Sequence, residues 1–291
     1  KIQCVAGAKY AAKVAVLCDY DNEWDGIEDK WHGPLRGRSM DALFKALQRA
    51  HIPFDFVNID DAGTSAPLGG YDAVFYPHPT IITEARTAQL EAYVQAGGRL
   101  VIGCRAGYKD INGQCPMTPM PGLLAKLTGC TVEEFTFLGP ADAPESIDWA
   151  GTSVPAPVFN DVLCPETPDC TVLGTYVGNY YDGKPGLTAH PFGSGAVYAF
   201  GAVFTEAAVR RFTELLGISC PEAGLELPEG VELAVREQPD GRRFVFLLNY
   251  LAQPQTIRLH GAAAYTDRLT GRALAETETL EPYGVLVLES L

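Results

Sequence analysis

A cysteine that ends a buried strand, followed by two cations and a carboxylate, is the most reactive-looking feature of this sequence. The stretch Gln95–Asp110 reads QAGGRLVIGCRAGYKD. Gly97-Gly98 stops a helix, because glycine takes the left-handed conformation at little cost. Leu100-Val101-Ile102 is an unbroken apolar run, the pattern of a central parallel strand covered on both faces. Ligands of open α/β sheets sit beyond the carboxyl ends of such strands, and Cys104, Arg105, Lys109 and Asp110 stand there. A Cys at a strand end can become a low-pKa nucleophile. The elbow that presents one has the form G-x-C-x-G, whose glycines relieve crowding at a strained turn. Around Cys104 those two positions hold Ile102 and Ala106. The downstream base would be His190, which Pro191-Phe192 follows where a carboxylate belongs. The expectation is a buried structural Cys104 and no catalytic residue, with a Cys104–His190 pair as the alternative.

Other patterns carry weaker chemistry. Asp19, Asp21, Glu23 and Asp25 precede Gly26 in the manner of a calcium loop, but the twelfth position from Asp21 is His32, where a bidentate Glu is needed. The stretch DNEWDGIEDKW therefore reads as a solvated acidic loop. Asn22-Glu23 has the order found at glycosidase acid/base residues, yet a second carboxylate on another barrel strand is required, and there are too few β-α units for an eightfold barrel. Gly193-Ser194-Gly195 opens a strand, not a helix, so it is a turn and not a phosphate cradle. No metal or cofactor site is expected. The loop aromatics Trp24, Trp31, Tyr108, Trp149, Tyr180 and Tyr181 are candidates for subunit contacts or sugar stacking, with ordinary core packing as the alternative. Of these, Trp24, Trp31, Tyr108, Tyr180 and Tyr181 are the candidate interface or sugar-facing residues.

The elements that must position these residues follow an α/β order. Strands are expected at Lys13–Tyr20, Pro53–Ile59, Tyr71–Tyr76 and around Leu100. Helices are expected from Pro34 to about Ala50, with Leu35, Leu43, Phe44 and Leu47 as the apolar stripe, and over Glu84–Ala96. This order implies a mainly parallel sheet with helices on both faces. A short helix near Leu123–Leu127, a β-rich stretch and an amphipathic helix over Thr205–Leu216 complete a first domain. A Pro/Gly/Glu-rich linker at Glu222–Glu229 follows. Strands at Val231–Arg236, Arg243–Tyr250, Gln255–His260, Ala264–Leu269 and Val285–Glu289 then suggest a small antiparallel sandwich.

The totals set bounds. The chain has 291 residues, 36 acidic against 22 basic, and a formal charge of -14. That balance argues against a nucleic-acid partner, whose phosphates need clustered cations. No apolar run suggests a membrane span, and no signal peptide is evident at the start. The eight cysteines form no C-x-x-C pair, so structural zinc is not expected and a reduced, cytoplasmic state is. Cys164 and Cys170 are close enough to pair, a matter that geometry decides. The start at Lys1 in place of Met reads either as a removed leader or as a chain cut from something longer, and the second reading is favoured.

A resemblance joins these pieces. VAVLCDYDNEWDG, PFDFVNID, YDAVFYP, YVQAGGRLVIGCRAGYKD, PGLLAKLTGC and GSGAVYAFGAV, in that order, resemble the middle domain of glycoside hydrolase family 42 β-galactosidases. VELAVREQPDGRRFVFLLNY, DRLTGRAL and LEPYGVLVLES resemble the small C-terminal β-domain of the same family. The resemblance implies a glutamine-amidotransferase-like (flavodoxin-like) α/β domain over residues 1–221 that assembles trimers without catalysing, and a β-sandwich over 222–291. It implies that the catalytic barrel, with both catalytic glutamates and any metal-binding cysteines, lies outside this sequence. The partners implied are further copies of the chain and, through the barrel, a terminal β-galactoside. A stand-alone hydrolase using Cys104 and a sugar-binding module are the alternatives.

Overall fold

A computed structural model of the chain describes residues 3–29, 35–61, 68–260 and 265–290. In chain order the elements are β1 (Lys9–Tyr10), β2 (Val14–Cys18), α1 (Tyr20–Glu28), α2 (Leu35–Arg49), β3 (Phe54–Asn58), β4 (Ala73–Tyr76), α3 (Glu84–Gln95), β5 (Arg99–Ile102), α4 (Ala125–Thr128) and β6 (Cys130–Phe137). There follow β7 (Ser146–Trp149), β8 (Thr152–Pro155), β9 (Phe159–Pro165), β10 (Thr171–Val177), β11 (Pro185–Phe192), β12 (Gly195–Phe200) and α5 (Glu206–Leu215). The last are β13 (Leu225–Glu226), β14 (Val231–Glu237), β15 (Arg243–Asn249), β16 (Gln255–Leu259), β17 (Thr277–Leu280) and β18 (Val285–Ser290). Two compact units result, one of residues 14–43 and 55–212, the other of residues 1–13, 44–54 and 213–291.

The larger unit is built on a sheet with the strand order β3-β2-β4-β5-β12-β11-β10-β7-β8. The pairs β2/β4, β4/β5 and β5/β12 are parallel, while β12/β11, β11/β10, β10/β7 and β7/β8 are antiparallel. The sheet is thus mixed, where the alternation of strands and helices implied a mainly parallel one. The difference lies in the second half, where short turns join successive strands and force reversal. The β7–β8 hairpin leaves little trace in the sequence, since SIDW and TSVP are short and weakly alternating. β6 and β9 pair separately as a two-stranded ribbon.

Both faces of the parallel half are sealed. On one, Leu17, Val74, Tyr76, Leu100 and Ile102 pack with Leu90 and Val94 of α3 and Leu127 of α4. On the other, Phe212 of α5 lies 4.8 Å from the Trp149 ring, 5.5 Å from Phe200 and 6.1 Å from Phe75, centroid to centroid. This double cover is why the central strands read as continuous apolar runs. Trp149, offered by its sequence context as a loop aromatic, is therefore part of the core.

The stretch DNEWDGIEDKW is not a loop as far as it is described: residues 20–28 form α1. Asp19 caps it, its carboxylate accepting from the Asn22 N–H at 2.8 Å. The acidic composition hides the helical spacing. Pro34, expected in the first turn of α2, lies outside the described residues, and Phe44 is exposed while Leu35, Leu43 and Leu47 are buried.

In the smaller unit, the sheets β1-β14-β15-β18 and β13-β16-β17 share one core. Both contribute alternate residues to it, as a strand with one solvated face must: Val231, Leu233 and Val235 from β14, and Ile257 and Leu259 from β16. The strand expected at Ala264–Leu269 is replaced, over its described part, by isolated bridges at Thr266 and Asp267 and a turn in which Asp267 accepts from the Thr270 hydroxyl at 2.6 Å. β17 takes the place beside β16.

The aromatic cluster sets a stability test. Phe212→Ala removes a fully buried ring that touches several others, and should destabilise the larger unit by about 3–5 kcal/mol, read as a lowered urea midpoint.

Candidate functional site

β5 ends at Ile102 and the chain turns over Gly103–Gly107. Arg105 stands at the apex with φ +60°, a region that non-glycine residues rarely adopt. A Cβ on Gly103 would lie 2.9 Å from the Phe204 ring, and one on Gly107 would lie 1.9 Å from the Pro121 carbonyl oxygen. Both glycines of an elbow are therefore present, but they bracket Arg105. The motif is Gly103-Cys104-Arg105-Ala106-Gly107, one residue later than a search centred on cysteine finds. The apex thus carries a guanidinium, which is no nucleophile.

The apex is tied down in two directions. Its backbone N–H donates to Asp161 Oδ2 at 2.6 Å, and its Nη2 donates to Asp29 Oδ2 at 2.8 Å. Asp161, on β9, also accepts from the Tyr108 hydroxyl at 2.6 Å. Burial pushes the Asp161 carboxyl up to about 6, against the opposing pull of the Tyr108 and Arg105 hydrogen bonds.

Cys104 is buried beside His78, Sγ to Nδ1 3.4 Å. This imidazole is committed elsewhere. Nδ1 also lies 2.8 Å from the Cys104 carbonyl oxygen, and only a protonated Nδ1 satisfies that acceptor. Nε2 is 2.6 Å from Ser39 Oγ, which itself accepts from the Phe204 N–H at 3.0 Å. With the proton on Nδ1, the neutral ring accepts from the Ser39 hydroxyl at Nε2, and no ring lone pair is left for the thiol. Burial, aided by the Asp161 charge, raises the Cys104 pKa well above its ordinary value. His190 sits apart on β11, its Nδ1 3.0 Å from the Leu127 carbonyl oxygen and Nε2 3.6 Å from Asp169. The structure gives Cys104 and His190 different neighbours.

One face of α1 is fastened to this edge by ion pairs. Lys109 Nζ donates to Asp25 at 2.5 Å and to Asp29 at 2.6 Å. Burial raises the Asp29 carboxyl, but hydrogen bonds from Lys109 and Arg105 outweigh it and hold it at about 2. The buried Arg86 donates to Asp21 at 2.7 Å and grips Asp60 through Nε and Nη2 at 2.9 and 2.8 Å. Asp19 lies 3.4 Å from Arg86 and accepts from the Tyr76 hydroxyl at 2.7 Å. Asp21 and Asp25, the residues of a calcium-loop reading, are thus neutralised by cations of the chain itself. Asn22 is buried against Asp19 and Ile81, and Glu23 points outward 3.6 Å from Arg36, an arrangement unlike a glycosidase pair. Asp110 closes an Asx turn on the N–H groups of Asn112 and Gln114.

The aromatic candidates divide. Tyr108 and Tyr181 are buried, which removes them as exposed platforms: Tyr108 serves Asp161, and Tyr181 donates to Glu145. Trp24 is 64% exposed and Tyr180 68% exposed, the latter donating to Glu134 at 2.5 Å. Trp31 lies outside the described residues.

Against this geometry, comparison with known proteins is decisive. The profile of the β-galactosidase trimerisation domain matches residues 12–221, and that of the β-galactosidase C-terminal domain matches residues 230–290. This chain belongs to the glycoside hydrolase family 42 β-galactosidases. It is 29% identical to a β-galactosidase of Clostridium perfringens over 99% of its own length and 42% of that protein's. A β-galactosidase of Heyndrickxia coagulans is 28% identical over 99% of the chain and 42% of the relative. The crystal structure of the β-galactosidase from Bacillus circulans sp. alkalophilus superposes with a TM-score of 0.84 at 27% identity, covering 98% of this chain and 42% of that one. The chain thus spans about two fifths of the length of the relatives it matches.

The edge of the sheet where ligands often bind is filled by salt bridges and a neutral thiol. Sequence reasoning misses Arg105 as the apex, His78 as the cysteine's neighbour, and Arg86 and Asp161 as the anchors. The glycine pair at 103 and 107 is the available signal for the first; nothing local marks the others.

Two measurements check this chemistry. Iodoacetamide at neutral pH should modify the exposed Cys115 and leave Cys104 untouched until the chain is unfolded. The Asp161 carboxyl has a folded pKa above its ordinary 3.8. Its stabilising contribution is therefore complete below that value and is lost as pH rises through about 6. Relative to Asp161→Asn, the wild-type chain should gain roughly 2–3 kcal/mol in urea unfolding between neutral and mildly acidic pH.

Proposed function

We propose that this chain is the non-catalytic assembly portion of a β-galactosidase whose hydrolytic barrel lies outside the given sequence. The whole protein would remove terminal non-reducing β-D-galactosyl groups, and this portion would hold its copies together as trimers. The observation that carries the reading is the double family match, to a trimerisation domain and a C-terminal domain, in a chain spanning 42% of its relatives. The site supports it from the other side. An amidotransferase-like domain would place its nucleophile at the elbow apex, and here that residue is Arg105, bound to Asp29. We place the boundary between the amidotransferase-like domain and the β-sandwich at 221/222. Eight free cysteines accord with a reducing, cytoplasmic setting.

The purified chain tests this directly. It should release no nitrophenol from nitrophenyl β-galactoside, and light scattering should give three times 31.3 kDa. Hydrolysis that disappears on Cys104→Ser substitution would return the assignment to a stand-alone enzyme.

A further inference from the structure

Within the larger unit, helix α1 has two unlike faces. Asp21, Asn22, Asp25 and Asp29 bind inward to Arg86, Asp19, Lys109 and Arg105. Tyr20, Trp24 and Ile27, spaced i, i+4, i+7, point outward and are 61%, 64% and 51% exposed. The Tyr20 and Trp24 rings lie 5.9 Å apart. Four ion-paired or hydrogen-bonded positions on one face hold this apolar stripe in a fixed orientation. Rigid aromatic side chains of this kind anchor protein interfaces.

The same unit carries a groove of about 460 Å³ lined by Phe137, Pro140, Pro144, Pro155, Pro157 and Arg38, among others. Prolines fix its walls. Its carboxylates are already engaged. Asp142 accepts from the Gly139 N–H at 2.6 Å, and Glu145 accepts from Asn160 at 3.0 Å and from Asn179 and Tyr181. A sugar would find few partners for its hydroxyls on these apolar walls, whereas an indole needs few. Arg38 is exposed and has no ion-pair partner among the described residues. The exposed Glu28, beside Ile27 on α1, likewise has none. The two charges are complementary, which matters for self-association of a chain with a net charge of -14.

We infer that the Tyr20/Trp24/Ile27 stripe of one copy seats in the Phe137–Pro157 groove of the next copy of this chain, with Glu28 facing Arg38. This rests on the reading of the chain as a trimer-forming unit. A ring of three cannot be closed by a patch that meets itself; it needs two different, complementary patches repeated around the axis. The stripe and the groove are such a pair.

The mixing experiment exploits that asymmetry. A stripe variant (Trp24→Ala with Ile27→Ser) and a groove variant (Phe137→Ser with Arg38→Glu) change only side chains with surface exposure. Circular dichroism and melting curves confirm that each folds. The wild-type chain should sediment as three copies, and each variant alone as one, with association weakened about 30-fold or more, as for loss of a central aromatic anchor. Mixed, the two variants should form a pair and stop there, because one intact stripe meets one intact groove and the ring cannot close. Variants that still form three copies, or a mixture that forms no pair, overturn the inference while the trimer reading stands. A wild-type chain that sediments as a single copy at the highest concentration it tolerates removes both.

Discussion

A main-chain N–H aimed at a carboxylate sealed from water holds the active-looking edge of this protein together. Arg105 can keep its left-handed backbone only because the surroundings over-determine it. Gly103 and Gly107 make the space, Asp161 takes the N–H, and Asp29 takes the guanidinium. Breaking the contact at Asp161 would leave a buried carboxyl with one donor fewer, a larger loss than the bond itself is worth. Its other donor, Tyr108, stands 5.7 Å from the Phe135 ring and 6.3 Å from Phe159, so the β6–β9 ribbon is registered by the same carboxylate. From one turn, therefore, follow the position of the ribbon and the docking of α1.

Much of this is legible in the residues, and the exceptions have physical causes. The central strands and α3 stand out because burial on both faces or on one stripe imposes a run or a period. Helix α1 is hidden because its inward face is polar. Ion pairs with Arg86, Arg105 and Lys109 do there what apolar packing does elsewhere, and those partners are distant in sequence. The elbow reads one position too early when its centre is taken to be the reactive side chain. Crowding constrains the two glycines, whereas the residue between them is free to change. Burial of Tyr108 and Tyr181 depends on Asp161 and Glu145, which no local pattern connects to them.

The ion pairs differ in worth. Lys184–Glu133, both half exposed, sits at the surface, where such pairs contribute little. Arg86 is different: its guanidinium is 4% exposed and faces Asp19, Asp21 and Asp60 together. Removing it would strand Asp19, itself almost wholly buried, without its cation. An acidic chain has few cations to place, and here the buried ones converge on a single helix. That concentration is hard to explain as a solubility device, which would scatter charge over the surface.

A strand, a strained turn and flanking glycines form the device by which α/β enzymes present a nucleophile, yet the apex here carries a cation locked to a carboxylate. The turn is the route from β5 to the segment that carries Tyr108, and its crowding leaves few other backbones. Function belongs to sites, not to folds, and at this edge Arg105 and Lys109 are engaged by Asp161, Asp29 and Asp25. The contacts of Arg105 and Lys109 with Asp25 and Asp29 fix the orientation of a helix, and with it the aromatic side chains on that helix's outer face.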